Sequence, residues 1–74
     1  MNTSSGVLEE LRRRSGKTDV TLSDRLLEDL SLDDLEQGQI ALALEGKLRR
    51  KPKAAAYRDV TTGADLVRTF DEAS

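Results

Sequence analysis

The chain has 74 residues, no cysteine, no histidine and a formal charge of −2. Those absences exclude disulfides, thiolate chemistry, the usual zinc ligands and the usual general base near pH 7, so neither an enzyme nor a metal site is expected. The length allows one small domain with a modest core.

The first five residues, MNTSS, are polar and read as a flexible N-terminus. GVLEELRRRSG follows, with Val7, Leu8 and Leu11 on one side, and reads as a short helix that Gly16 stops. Glu9 to Arg13 and Glu10 to Arg14 have the favourable i,i+4 order. KTDVTLSDRLLEDLSLDD carries too many apolar residues for a solvated linker, so it is expected to pack across the bundle, with a helical turn at 24–29. Residues 19–36 are acidic, and Arg25 is their only cation.

DDLEQGQIALALEGKLRR is the clearest helix. Asp33 reads as its N-cap, with Glu36 three positions later as in a capping box. Ile40, Ala41, Leu44 and Leu48 form one apolar stripe, and Leu35, Gly38 and Leu42 a second. Gly38 and Gly46 each cost about 1 kcal/mol against alanine inside a helix. Lys47, Arg49, Arg50, Lys51 and Lys53 then make a basic run, and Pro52 ends the helix. A short helical turn near Ala54–Tyr57 is followed by VTTGADLVRTFDE, capped by Thr62. Residues 71–74 read as a flexible C-terminus. The core is expected to take Val7 or Leu8, Leu11, Leu27, Leu30, Ile40, Leu44, Val60, Val67 and Phe70. No strand emerges, so the fold class is all-α: three main helices and a short third element. No apolar run nears the roughly 20 residues that span a bilayer, and nothing resembles a signal peptide. A cytoplasmic monomer without a membrane partner is the expectation.

The acidic turn at Asp33 and Asp34 has several readings. Adjacent carboxylates at a helix start point about 100° apart, which suits a catalytic pair poorly. Oxygen ligands would suit calcium or magnesium, but the calcium-loop spacing and its glycine are absent. The plain reading is a helix cap. The basic run reads as a solvated helix end, as a charged docking surface, or as a nucleic-acid contact. Nucleic acid is disfavoured by the net charge and by Tyr57 being the only nearby aromatic.

The order of elements, with EDLSLDDLEQGQIALALE over 28–45 and VTTGADLVRTF later, resembles the acyl carrier protein family. That family opens its second helix with Asp-Ser-Leu, and the serine bears the phosphopantetheine arm that tethers acyl chains. In the matching register Asp33 stands for the aspartate and Leu35 for the leucine, while Asp34 falls where the serine belongs. The alternative register through Ser31 puts Leu30 in place of the aspartate and Gln37 where a buried aliphatic is required.

The resemblance, over roughly residues 6–70, implies a four-helix carrier-type bundle of about that extent. Phosphopantetheine is not expected on Asp34, because the transfer needs a hydroxyl nucleophile. What the resemblance leaves is an atypical carrier-like module that works by docking, as scaffold or regulator in fatty-acid or polyketide and secondary-metabolite biosynthesis. Its partners would be biosynthetic enzymes or synthase domains. Its docking residues would be Leu35, Gly38, Leu42, Lys47, Arg49 and Arg50. The basic run calls for an acidic-rimmed partner, unlike the basic patches that receive ordinary carriers. The alternatives are a true carrier with an engineered Ser-to-Asp change and a small helical nucleic-acid-binding module using 47–53.

Overall fold

Helix α1 (Thr3–Ser15) starts one turn earlier than the apolar pattern announces. The reason is Asn2, whose side chain accepts from the Ser5 amide at 2.7 Å and so caps a turn with no apolar residue. Gly16 ends the helix in the left-handed conformation, φ 74°, its amide bonded to the Arg12 carbonyl. The computed structural model describes residues 2–73; Met1 and Ser74, part of the ends expected to be flexible, lie outside the described residues.

The connection to the next helix is irregular but held. Its expected helical turn is one turn wide, closed by Asp29 N–H to Arg25 O at 2.9 Å. Three backbone bonds tie the segment to the start of the last helix: Leu26 N–H to Thr61 O (2.8 Å), Ala64 N–H to Leu22 O (2.8 Å) and Gly63 N–H to Asp24 O (3.4 Å). A single antiparallel bridge, Arg25 with Thr62, accompanies them. Gly63 is buried where a Cβ would lie 3.0 Å from a Leu11 methyl and 3.3 Å from the Leu22 Cα, so glycine permits this close approach.

Helix α2 (Asp34–Leu48) is capped by Asp33, whose carboxylate accepts from the Glu36 amide at 2.8 Å. The return bond that would complete a capping box is not among those formed by the described residues. A 3₁₀ turn (Ala54–Tyr57) follows, and helix α3 (Gly63–Asp71) has the full capping box, Thr62 with Asp65. Amides of Thr61 and Thr62 bond the Asp65 carboxylate and hold its pKa below the usual aspartate value.

Helix α1 packs against both α2 and α3. The core joins Val7 and Leu11 of α1, Val20, Leu26, Leu30 and Leu32 of the connection, Ile40 and Leu44 of α2, and Leu66 and Phe70 of α3. Two core expectations fail by one position. Leu26, not Leu27, is inside, and Leu66, not Val67, is fully buried; Val67 and Val60 pack partly buried at the edge. The radius of gyration, 10.9 Å, is that of a compact chain of this length, about 11 Å. The described residues thus form a small all-α fold of three helices and a 3₁₀ turn, without a sheet. None of its helices is long and apolar enough to cross a membrane.

Candidate functional site

The N-terminal half of α2 gathers most of the residues singled out in the sequence. Asp33 is occupied as the cap, leaving Asp34 at the first helical position, exposed and outside the ion pairs of the described residues. Leu35 and Leu42 are 70% and 69% exposed. They lie seven positions apart, about two turns, so they share a face. Neither side chain belongs to the core. Gly38, between them, is exposed with open space where a Cβ would sit. Leu27 is 59% exposed and lines a shallow depression together with Asp34 and Gln37. Sequence reasoning missed Leu27 here; its only signal was one leucine too many in an irregular segment.

The basic run divides. Lys47 was expected to meet a partner, but its ammonium reaches Glu9 at 3.3 Å and Glu10 at 3.5 Å on α1. Glu10 is 1% exposed and also faces Arg13 at 3.4 Å and Arg14 at 3.7 Å, so the lysine neutralises a buried carboxylate. The expected Glu9–Arg13 pairing gives way to Lys47 because the helices pack side by side. Arg50 donates to the carbonyls of Phe70 (2.9 Å) and Asp71 (3.3 Å), satisfying the C-terminal end of α3. Arg49 and Arg50 are both exposed, and Arg49, with φ 54° as the left-handed cap of α2, makes no ion pair among the described residues.

A cavity of about 260 Å³ opens behind Asp34, between α2 and the edge formed by the 3₁₀ turn and α3. Leu26, Ile40 and Leu66 are buried and form its floor, while exposed Asp34 and Gly38 stand at its rim. Tyr57 closes one side. Its ring packs edge-on against Phe70, centroids 6.1 Å apart, and its hydroxyl donates to Glu45 at 2.9 Å rather than to water. Desolvation first, then that bond, raises the phenol pKa above the ordinary 10. The Gln37 amide nitrogen donates one of its two hydrogens to the Leu32 carbonyl at 2.8 Å.

The chain matches no family model, no curated protein and no solved structure in these comparisons. The reading of the site therefore stands on its own chemistry. The α2 face offers an exposed apolar patch with unpaired carboxylates beside it, and the groups behind it frame a small apolar cavity.

Proposed function

We propose that the chain is a carrier-like docking module that lacks the attachment residue for phosphopantetheine, built as a four-helix carrier-type bundle in which the 3₁₀ turn stands for the short third element. The exposure of Leu27, Leu35 and Leu42 around Asp34 carries the reading. Leu35 and Leu42 share one exposed face of α2 and exposed Leu27 lies beside Asp34; large apolar side chains left in solvent around one helix start, in a protein with so few to spare, mark a surface that a partner covers. Asp34 supplies a fixed negative charge at the helix start but no nucleophilic hydroxyl. The partners are biosynthetic enzymes or synthase domains of fatty-acid, polyketide or secondary-metabolite assembly, and the role is scaffolding or regulation.

The test has two arms. Incubation with coenzyme A and a broad-specificity phosphopantetheinyl transferase leaves the mass of the protein unchanged; an added arm would overturn the loss of attachment, with Ser31 the first residue to examine. Immobilised protein retains a synthase component from lysate, and Leu35→Asp with Leu42→Asp releases it. Retention of the same proteins by the double variant would place the interface elsewhere.

A further inference from the structure

The polar groups lining the cavity behind Asp34 share one property that its apolar floor does not reveal. Asp34 brings a carboxylate, an acceptor only. Gln37 spends one N–H of its NH₂ on the Leu32 carbonyl, which leaves the amide oxygen as an acceptor and the second N–H as the one free donor of the lining. Tyr57 has given its proton to a bond with Glu45, which leaves the phenolic oxygen. All three polar liners therefore offer an acceptor, against a single remaining donor, so an occupant that brings donors is favoured.

Charge points the same way. Asp33, Asp34 and Glu36 crowd the first turn of α2. The helix dipole opposes a cation there with only about half a positive charge, against three carboxylates. The cavity, at about 260 Å³, is larger than the roughly 150 Å³ that holds benzene and smaller than drug-sized sites of about 300–1,000 Å³. It fits one short alkyl chain or a single ring.

We propose that this cavity binds, reversibly and without covalent attachment, a small primary amine with an apolar tail. The tail lies on Leu26, Ile40 and Leu66, and the ammonium sits at the rim against Asp34 and the Gln37 oxygen. A carboxylate or phosphate head would meet acceptors and like charge. The inference goes beyond the docking reading and does not depend on it, because it uses the cavity and its lining alone.

The experiment is a methyl and amide NMR titration of the full chain at pH 7 and fixed ionic strength, with n-hexylamine, n-hexanol, hexanoate and ethylamine. Hexylamine is expected to give saturable shifts centred on Leu26, Ile40 and Leu66, with binding about tenfold tighter than hexanoate. Ethylamine, a head without a tail, should give none there. Asp34→Asn should abolish the preference for the amine while hexanol still binds, and Ala41→Leu, which fills the cavity, should weaken every chain. Asp34 is exposed, so the asparagine variant remains informative even if the leucine variant fails to fold. Hexanoate binding as well as hexylamine would overturn the proposal. So would an amine preference that survives Asp34→Asn, equal shifts with ethylamine, or no saturable shift at the cavity floor.

Discussion

Leu26 and Leu27 are neighbours with opposite surroundings. The Leu26 amide bonds to Thr61 at 2.8 Å, and its carbonyl accepts from Leu32 at 2.9 Å; these two bonds turn its side chain into the core and leave Leu27 outside. Replacing Leu26 with alanine should cost about 2–5 kcal/mol, the range for a buried leucine. Leu27→Ala should stay within about 0.5 kcal/mol. Urea unfolding separates the two, and equal losses would mean that both side chains are buried. The sequence could not assign them, since an irregular segment has no period from which to read an inward face. It did identify Leu11, Ile40, Leu44 and Phe70, all buried, where helical spacing supplied a direction, and Leu30 in the irregular segment; of the alternatives Val7 and Leu8, Val7 is the buried one. Tyr57 adds a pH test, because it is the only tyrosine. Its folded pKa lies above that of the unfolded chain, so its contribution to stability is fully present below pH 10 and is lost as pH rises through the folded value. Absorbance should show the phenol still protonated at pH 10 in the folded protein, and half-ionised there in denaturant. Ionisation near 10 in both states would mean that the Glu45 bond and the desolvation are absent.

At the scale of elements, two glycines of the helices do different things. Gly63 lets α3 begin against the Leu22 backbone, and a Cβ there would press on a Cα that cannot swing away. Gly63→Ala should destabilise by about 1–3 kcal/mol, the cost of overpacking. Gly38 has open space around it in mid-helix, so Gly38→Ala should stabilise by up to about 1 kcal/mol. Thermal unfolding of the two variants reads both signs; a stabilised Gly63→Ala would mean that the connection yields easily. The Gly38 result bears on function as well, because a residue whose replacement stabilises the fold is kept for the surface or the cavity it lines. The sequence showed that Gly38 was costly but could not show what the vacancy opened onto. Local signals placed the caps of α2 and α3 correctly. They missed the Asn2 cap because that turn buries almost nothing apolar. The partners of Lys47 and Arg50 come from α1 and α3, which no local reading pairs.

Across the whole molecule, these internal pairings shift the expected charge of the docking face towards the acidic start of α2. The sequence put a basic run beside the leucine patch and so called for an acidic-rimmed partner. Folding neutralises Lys47 against Glu9 and Glu10 of α1 and ties the exposed Arg50 to the carbonyls at the end of α3, away from the leucine pair. Arg25, the only cation of residues 19–36, is paired with Glu28 and Asp29. Asp34 and Glu36 remain beside Leu35 without an ion pair among the described residues. If the chain works by docking, its partner should present an apolar knob with a cationic rim. Rim charges act mainly on encounter rate and register, and they are screened beyond a Debye length of about 10 Å at 0.1 M salt. Calorimetric titration of a captured partner should therefore show binding that weakens with salt. Leu42→Asp should remove most of it, and Asp34→Lys with Glu36→Lys should weaken it further at low salt than at high. Arg49→Glu should change affinity by less than tenfold, because one exposed arginine at a helix end is a minor part of the local charge. If Arg49→Glu proves the most damaging change and the Asp34 and Glu36 reversals are silent, the basic run governs recognition after all and the acidic end of α2 is only a cap.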